Sequence, residues 1–537
     1  MLRTWFCPAL LGLAAPLSPQ SNVDAALDLH LADIDQLTAM GRAGAYPNGV
    51  NGCALETTAC NLGTKAIPWH AAMASDHPFI AFLMARESNG RFEQISDQSF
   101  VKHGFFALSS ELCRSCAPTD GTTLGVGCSD TYATSNNGDP FWLGPPSEID
   151  PWLGHWNPQC SHFDRGEPPV AAPADCNGLR SLSAAQANAL GPLNHRIHVS
   201  DADFNVPNAA FWYQAQYVIG SEDEAKRGDN LASRAFTPVW TGSRWDLVDS
   251  GALLHGSILQ RWSGATVQST TNGVSDCRVY VATKVSGPSE GFYRYEIAVH
   301  NRDNARGVGA VRIPVCPEAR VRALGFRDLD RDPLDDWSAA RLAGEIVFSG
   351  PVQPLEWNTV FNLWFESDAA PAPGAWSLDA ARPGPGAATF AVTAAAPLEL
   401  YNVHLGPGCA RGTPPTLVAT GTPPRATLGN ATFALESQGN APLSPNALYF
   451  SRASSPFSIQ GCQVYLDAVA VSVSVVVSDA LGVARHPAPI PNHIALEGLD
   501  AYLQAVGRDP LGGPLFRFYA LSDGLLVRTG NSLTGCP

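Results

Sequence analysis

Histidine, lysine and carboxylate side chains concentrate beside aromatic residues in the first third of the chain. The members of this polar group that could act together are His70, His77, Lys102, His103, Asp130 and Glu148. Neutral imidazole suits both metal ligation and proton transfer, so His77 and His103 with a carboxylate predict a transition-metal site or an acid–base pair. The competing interpretation is a buried strand end at His103, with the other groups at the surface. The pattern leaves the identity of any transition metal unknown.

A second set of carboxylates alternates along residues 328–336. The predicted ligands are Asp328, Asp330, Asp332 and Asp336. This spacing lets a tight loop direct successive oxygens at one hard cation, which predicts calcium. Pro333 stands where a glycine usually makes the turn, and the glutamate that closes such loops is missing. The alternative is a solvated acidic turn between strands.

Two further patterns resemble the motifs of known catalytic and metal sites. Residues 287–291 match G-x-S-x-G, but a nucleophile elbow needs a helix after the serine, and strand-like sequence flanks Ser289 on both sides. We therefore predict a hairpin turn there. His195 and His198 would share one face of a helix, but the β-branched residues around them favour a strand, which directs the two imidazoles to opposite sides. Neither pattern is expected to carry chemistry.

Cysteine usage indicates an oxidising compartment. The chain has 13 cysteines, and setting aside Cys7 near the N-terminus leaves 12, an even number that predicts a disulfide framework. The single C-x-x-C pair lacks the second pair that a finger-like zinc site needs. Cys409 and Cys462 are isolated together in one segment, which favours their pairing, and Cys277 with Cys316 is the next pairing expected.

The N-terminus and the composition predict a secreted or cell-surface protein. Residues 1–20 combine Arg3, a short apolar stretch and small residues, which is typical of a secretory signal peptide; a disordered arm is the alternative. The net charge is −15, and four lysines leave no basic stripe for a nucleic-acid partner. The apolar run at 468–477 is too short to span a membrane and is expected to form a strand.

The elements that must position these residues follow from length and periodicity. A chain of 537 residues exceeds one ordinary core. The predicted domains are an N-terminal domain at 22–264 and two further domains at 270–396 and 398–537. Apolar residues at helical spacing in 27–40 and 78–83 predict two helices. Residues 113–193 lack periodicity and predict a loop region held by disulfides.

Both later domains are predicted to be β-sandwiches. Seven short strands between residues 278 and 393, with turns such as 301–304 and 372–374, are typical of this architecture. The positions expected to face the cores are Tyr293, Tyr295, Ile297 and Val299 on one strand, and Val471, Val473 and Val475 on another. A protease is expected to cut at 393–397. The predicted fold class is mainly β: a mixed α+β, disulfide-held N-terminal domain followed by two β-sandwich modules.

Several stretches also resemble a known group of proteins. These are residues 100–108, 124–130, 293–301, 362–366 and 498–505 with Asp509-Pro510. They look like an uncharacterised family of large, secreted, multidomain β-rich proteins of environmental bacteria. The resemblance covers most of the chain and implies secretion and a modular plan, but it brings no established activity and identifies no catalytic residue.

Two functions remain open on these observations. The first is noncatalytic binding or adhesion to an extracellular surface or polymer such as carbohydrate, with Phe141, Trp142, Trp152 and Trp156 as stacking surfaces. The alternative is an extracellular metal-dependent oxidoreductase or hydrolase with its site around His77 and His103. The first is favoured because no motif with stringent spacing supports the second.

Overall fold

A computed structural model describes most of the chain. The described residues are 23–69, 73–166, 176–189, 191–273, 278–289, 292–330 and 332–530. Strands form 48% of the structure and helices 6%, which confirms the mainly β fold class. In these stretches no helix combines the length and the apolar character needed to cross a membrane. The predicted signal peptide and His70 lie outside the described residues.

The N-terminal segment, residues 23–262, is built on two antiparallel sheets. Its strands are β1 (Leu29–Ala43), β2 (Val50–Asn61), β3 (Ile67–Pro68), β4 (Phe79–Ser88), β5 (Arg91–Gln94), β6 (Val101–His103), β7 (Thr123–Leu124), β8 (Ser129–Tyr132), β9 (Leu143–Gly144), β10 (Ile149–Asp150), β11 (His155–Trp156), β12 (Ile197–Ser200), β13 (Ala210–Val218), β14 (Leu231–Trp240) and β15 (Trp245–His255). Its helices are α1 (Thr134–Asn137), α2 (His162–Arg165), α3 (Ala184–Ala189) and α4 (Asp201–Phe204), with 3₁₀ turns at Pro140–Trp142, Pro146–Glu148 and Ile258–Arg261. β1, β2, β8 and β12 form one sheet, and β15-β14-β13-β4-β6-β9, with β5 beside β4, form the other. Side chains from both, such as Leu55 and Tyr213, share one buried cluster.

The two helices predicted in this segment are wrong. Residues 29–40 of the first lie in β1, and residues 79–83 of the second lie in β4. β4 is buried on both faces from Phe79 to Arg86, so its apolar residues run without alternation. A strand covered on both sides shows no period of two, and its sequence therefore imitates a short buried helix.

The middle sandwich, residues 266–399, has two five-stranded sheets. Its strands are β16 (Thr266–Thr270), β17 (Val279–Ser289), β18 (Phe292–Asn301), β19 (Val308–Pro314), β20 (Val321–Arg327), β21 (Ser338–Leu342), β22 (Glu345–Ser349), β23 (Thr359–Ser367), β24 (Ala370–Ala380) and β25 (Thr389–Glu399). The sheet orders are β16-β17-β18-β23-β20 and β21-β22-β19-β24-β25. The predicted core positions Tyr293, Tyr295, Ile297 and Val299 are all buried in the cluster between these sheets, which confirms that part of the prediction.

The turn predicted at residues 372–374 is wrong, because this stretch lies inside β24. β24 pairs with β25 along its length, but β19 pairs with β24 only around residues 377–380. The first half of β24 therefore has one free side. Pro371 and Pro373 are tolerated there, since a proline lacks the N–H that a second neighbouring strand would need. The predicted protease site at 393–397 likewise lies within β25, paired to β24.

The C-terminal module, residues 402–530, is more open. Its strands are β26 (Asn402–Gly406), β27 (Thr416–Thr420), β28 (Ala434–Gln438), β29 (Pro445–Ser451), β30 (Phe457–Ile459), β31 (Cys462–Val464), β32 (Val471–Val477), β33 (Ala484–Pro487), β34 (Asp500–Arg508), β35 (Tyr519–Leu521) and β36 (Gly524–Arg528), with a 3₁₀ turn at Ile494–Leu496. The larger sheet has the order β26-β36-β34-β29-β32, with β35 beside β34, and the smaller has the order β27-β28-β33.

The core positions predicted on β32 are wrong. Val471, Val473 and Val475 are exposed. β32 is the edge strand of the larger sheet, and the smaller sheet faces only its inner side, where His486 of β33 contacts Ser474 Oγ at 2.9 Å. No second sheet in the described chain covers the outer side, so Val475 and Val477, which lie opposite Ala447 and Pro445 on that side, remain in solvent.

The N-terminal segment and the middle sandwich are packed against each other. Leu83 and Phe92 of the former share a buried cluster with Ala298 and Val360 of the latter. The Asn358 side-chain amide donates to the carbonyl of Phe82 at 3.0 Å. These contacts join the two parts over a sequence separation of more than 200 residues.

Disulfides hold the loops of the N-terminal segment and one part of the C-terminal module. The described bonds are Cys60–Cys113, Cys116–Cys128, Cys160–Cys176 and Cys409–Cys462, the last as predicted. Cys316 is also disulfide-bonded, while Cys277 lies outside the described residues. Cys53 is a buried free thiol, and burial raises its pKa to about 12.

Candidate functional site

His77 and His103 form a buried pair in the N-terminal segment. His103 ends β6, His77 precedes β4, and these strands pair side by side. His77 Nε2 lies 2.8 Å from His103 Nδ1. Burial, reinforced by neighbouring cationic groups, holds the pKa of His103 well below its usual range. The strands therefore bring the two predicted imidazoles together, with His103 neutral and able to share a proton with its neighbour.

Aromatic rings enclose this histidine pair. The Trp156 ring packs edge-on against both imidazoles, at centroid distances of 5.6 and 4.9 Å. Among the described residues no third histidine, cysteine or carboxylate completes a ligand group here, and His70 lies outside them. The arrangement supports proton sharing and offers two nitrogen ligands, where zinc sites use three or four protein ligands.

Lys102 and Asp130 occupy a buried polar region beside the pair. Lys102 Nζ donates to the carbonyl of His103 at 2.7 Å and lies 4.1 Å from the centroid of the Phe105 ring. Burial lowers the pKa of Lys102 well below its usual value, and nearby carboxylates oppose this effect. Burial raises the pKa of Asp130 to about 7, although its Oδ1 accepts a hydrogen bond of 2.7 Å from the Leu108 N–H. Both groups are desolvated and enclosed.

Glu148 positions the loop region and does not contact the imidazoles. Its carboxylate accepts hydrogen bonds from Trp156 Nε1 at 3.3 Å and from the His162 N–H at 2.8 Å. Burial raises the pKa of Glu148. Because Trp156 packs on both imidazoles, Glu148 acts one side chain away from them.

The aromatic residues of the loop region do not form the stacking surface expected from the sequence. Trp152 and Trp156 are buried. Phe141 and Trp142 pack around the Arg180 guanidinium, whose carbon lies 4.1 and 4.8 Å from their ring centroids. A loop region has few strands of its own to bury, so its large rings supply its core.

The acidic stretch gathers three carboxylates, but they differ from the predicted set. Ligand atoms of Asp328, Asp330 and Asp335 lie within 4.8 Å of one another. Asp332 and Asp336 stand outside this group. Asp332 instead closes a turn, since its Oδ1 accepts a hydrogen bond of 3.0 Å from the backbone two residues further on. Asp328 and Asp330 accept turn hydrogen bonds of the same kind and still belong to the cluster, whose third member is Asp335.

Asp328 is the buried member of this carboxylate cluster. Burial raises its pKa to about 6, and the neighbouring carboxylates add to the effect. With its nitrogen facing the cluster, the Gln353 amide donates to Asp328 Oδ2 at 2.7 Å and to Asp335 Oδ2 at 3.1 Å. This amide relieves part of the repulsion between the carboxylates. The oxygen set suits a hard cation, and calcium binding stays a prediction.

A concave apolar cleft lies on the outer face of the larger C-terminal sheet. Its volume is about 570 Å³, and its lining includes Ala447 of β29 and Val475 of β32, which lie opposite each other. Four aromatic side chains also line this cleft: Tyr449, Phe457, Phe516 and Tyr519. Asp467 is the one charged residue in the lining. We call this surface the aromatic cleft.

The loop at one wall of the aromatic cleft holds its rings in a strained backbone. Phe516 and Phe518 are exposed. Phe516 and Arg517 have φ angles of +49° and +69°, in the left-handed region that bulky side chains rarely adopt. Such strain persists only where surrounding contacts impose it, and it concentrates at functional sites.

Two contacts beneath this loop impose its conformation. The Phe516 N–H donates to Gln460 Oε1 at 2.7 Å. Leu515 packs in one buried cluster with Cys462, which is bonded to Cys409. The backbone that carries Phe516 is therefore held in place before any ligand arrives.

Sequence reasoning missed the aromatic cleft. The available signal was the run Phe516-Arg517-Phe518-Tyr519 close behind the turn residues Gly512, Gly513 and Pro514, since aromatic residues near turn residues are unusual in solvent-facing loops. These rings are exposed because no second sheet of the described chain covers this face. The local sequence does not reveal that absence.

The hairpin predicted at Ser289 is confirmed, whereas the strand predicted around both histidines includes His198 but not His195, which lies in a turn with a φ of +62°. Ser289 ends β17 and pairs with Phe292 of β18 across a hairpin. His198 lies in β12 and contacts Asp97 at 3.1 Å, whereas His195 stacks on the Phe100 ring at 3.9 Å. The two imidazoles thus have different partners.

Comparison with known proteins identifies no family for this chain. No protein-family model matches the sequence, and no curated protein matches it. Among solved structures, the chain is similar to a variant of BcpA, the major pilin subunit of Bacillus cereus, at 10% identity and a TM-score of 0.17, covering 58% of this chain and 76% of the pilin chain. Similarity at this level carries no argument about fold or function.

Proposed function

We propose that this chain is a noncatalytic extracellular or cell-surface binding protein whose aromatic cleft binds a neutral polymer such as a polysaccharide. The observation that carries the proposal is the cleft of about 570 Å³ with four aromatic side chains in its lining. Its volume falls within the range of about 300 to 1,000 Å³ that ligand sites occupy. The nine described cysteines in disulfides support an oxidising compartment.

The charge of the lining supports a neutral ligand. Asp467 is its one charged residue, so a polyanion or polycation would lose its hydration without gaining matching charges. Tyrosine and phenylalanine rings bind flat apolar faces, and the tyrosine hydroxyls can remain hydrated or bind polar groups. Sugar rings in a neutral polysaccharide present both kinds of surface.

The ordered backbone of this wall favours a ligand-binding site over an incidental exposed apolar patch. The backbone at Phe516 is held by the hydrogen bond to Gln460 and by packing of the neighbouring Leu515 with Cys462. A ligand therefore does not have to order the backbone of this loop, which would reduce its affinity.

Cosedimentation with insoluble cellulose and chitin tests this proposal. We expect binding by the unaltered protein and an approximately tenfold weaker affinity after Phe516→Ala or Tyr519→Ala, because each change removes a stacking ring. Phe106→Ala is the control, since Phe106 is also exposed, at 49% against 63% for Phe516, but lies in the N-terminal segment.

Two results would count against the proposal. Equal binding by the Phe516→Ala and Phe106→Ala variants would remove the cleft as the binding site. Stoichiometric copper, iron or zinc in purified protein, lost after His77→Ala and His103→Ala, would favour the metal-dependent enzyme instead.

A further inference from the structure

Strand β32 forms an open edge of the C-terminal module. It pairs with β29 on one side, and no strand of the described chain pairs with its other side. About half of its backbone N–H and C=O groups therefore point outward without a partner strand. A register shift opposite Leu448 and Tyr449 leaves Val473 as a bulge, after which Ser474 to Val477 pair regularly.

This edge lacks the chemical devices that usually prevent association. Residues 469–478 contain no charged residue and no proline. Exposed edges are normally protected by lysine, proline or an inward charge, and an uncharged valine-rich edge is a template for pairing. The bulge at Val473 is the one such device present, and it spares the regular stretch beyond it.

The apolar area around the edge matches what a stable association needs. Seven aliphatic side chains here are between 52% and 85% exposed: Leu443, Val469, Val471, Val473, Val475, Val477 and Leu481. At roughly 100 Å² of apolar surface per side chain, their exposed parts amount to roughly 500 Å². A standard interface buries about 800 Å² per partner, of which somewhat more than half is non-polar.

The absence of charge at the edge permits a second copy of this chain as the partner. Two copies of this chain each carry a net charge of −15 and repel each other over most of their surface. A self-complementary contact places one patch on its own copy, so any net charge in that patch would face itself. The uncharged edge at 469–478 avoids this repulsion, and an antiparallel strand can pair with its own copy about a two-fold axis.

We propose that two copies of this chain associate through the β32 edge, in an antiparallel pair about a two-fold axis. In a register with Val475 opposite its counterpart, the outer faces of both larger sheets lie on the same side, because opposite residues in an antiparallel pair share a face. The two aromatic clefts then open in the same direction. The association does not depend on what the clefts bind.

Sedimentation velocity of the full chain at micromolar concentrations tests this association. We expect a dimer for the unaltered protein and at least a tenfold larger dissociation constant after Val475→Lys, which places like charges directly across the axis. Val477→Lys, tested independently, should have a similar effect because it places a charge against the apolar edge of the other copy. Val352→Lys is the matched control, because Val352 and Val475 are both 68% exposed and Val352 lies in the middle sandwich. Circular dichroism confirms that each variant is folded.

Each possible result of the sedimentation experiment either supports the dimer or overturns it. A dimer that persists in the control and is lost in both edge variants supports the proposal, as does stronger association at higher salt, which screens the repulsion between copies. A monomeric unaltered protein overturns it. So does a dimer that survives both edge substitutions, or one that weakens as salt is raised.

Discussion

Strand β18 of the middle sandwich and strand β32 of the C-terminal module carry similar apolar alternation but meet different environments. Ile297 and Val299 of β18 are buried, whereas Val475 and Val477 of β32 are exposed. The second five-stranded sheet of the sandwich covers one face of β18 and the N-terminal segment covers the other, while a three-stranded sheet faces one side of β32. Alternation therefore predicts a strand, but the width of the opposing sheet decides whether its apolar side is buried.

The two regions are also stabilised differently. The middle sandwich has a continuous core that runs between its sheets. In the C-terminal module the buried clusters are smaller, and one of them surrounds the Cys409–Cys462 bond. The open module therefore relies more on its cross-link, and the closed sandwich relies more on packing.

The largest expected effect comes from removing matched rings in the two regions. Phe361→Ala in the closed sandwich should lower the free energy of unfolding by about 4 kcal/mol, because it leaves a cavity in a packed core. Phe516→Ala in the open module should change it by less than about 0.5 kcal/mol. Scanning calorimetry measures both, and similar effects for the two variants would break the comparison.

Removing the disulfide should destabilise the C-terminal module more than the middle sandwich, which is the reverse of what we expect for the ring substitutions. Replacing Cys409 and Cys462 together by alanine frees a loop with a sequence separation of 53. The gain in unfolded-chain entropy should destabilise the C-terminal module by about 4 kcal/mol. The unfolding transition of the middle sandwich should stay unchanged, and a shared shift of both transitions would show that the two regions unfold together.

Burial also makes stability depend on pH, an effect absent from β32, which has no titratable side chain. Asp130 has a pKa of about 7 when folded and about 3.9 when unfolded. The folded state holds its proton between these values and the unfolded state does not, so the free energy of unfolding falls as pH rises from 4 to 8. Asp130→Asn, which retains the acceptor for Leu108, should be about 4 kcal/mol more stable than the unaltered protein at pH 8.

Below pH 4 the advantage of the Asp130→Asn variant should vanish, because Asp130 is then protonated in both states. Denaturant unfolding across the pH range measures the difference between the two proteins. A difference that stays constant with pH would mean that Asp130 is not the group responsible.

The smallest expected effect is calcium-linked stabilisation of the middle sandwich. If Asp328, Asp330 and Asp335 bind calcium in the folded state alone, free calcium at one hundred times the dissociation constant adds about 2.7 kcal/mol. Asp335→Asn should abolish the shift in melting temperature between chelator and calcium. Asp332→Asn should retain it, and a loss in both variants would restore the originally predicted ligand set.

The sequence allowed part of the fold to be predicted for identifiable reasons. Strand β18 was predictable because its apolar residues alternate with polar or small ones, although both of its faces are buried from Tyr295 onward. β4 was not, because residues 79–85 are apolar at every position. The pairing of Cys409 with Cys462 followed from their isolation in one segment.

The candidate sites could likewise be predicted only in part from the sequence. Sequence reasoning found His77 and His103, and the pairing of β4 with β6 brings them together. A spacing rule also does not show which carboxylates a loop brings together, and here Asp335 lies beside Asp328 and Asp330 while Asp332 does not. Which of these groups bind calcium stays a prediction. The aromatic cleft depends on a face left uncovered, which is a property of the whole module.

The packing of the N-terminal segment on the middle sandwich also constrains how the chain is made. The carbonyl of Phe82 and the Gln94 side chain find partners at Asn358 and Val360, with separations of 276 and 266 residues. At about 5 to 20 residues per second, roughly 10 to 50 seconds of synthesis separate these partners. During that interval the apolar strand at 79–85 has no cover from the middle sandwich and is prone to aggregation. We expect production of this protein to depend on a chaperone that shields the early strands until residue 360 has emerged.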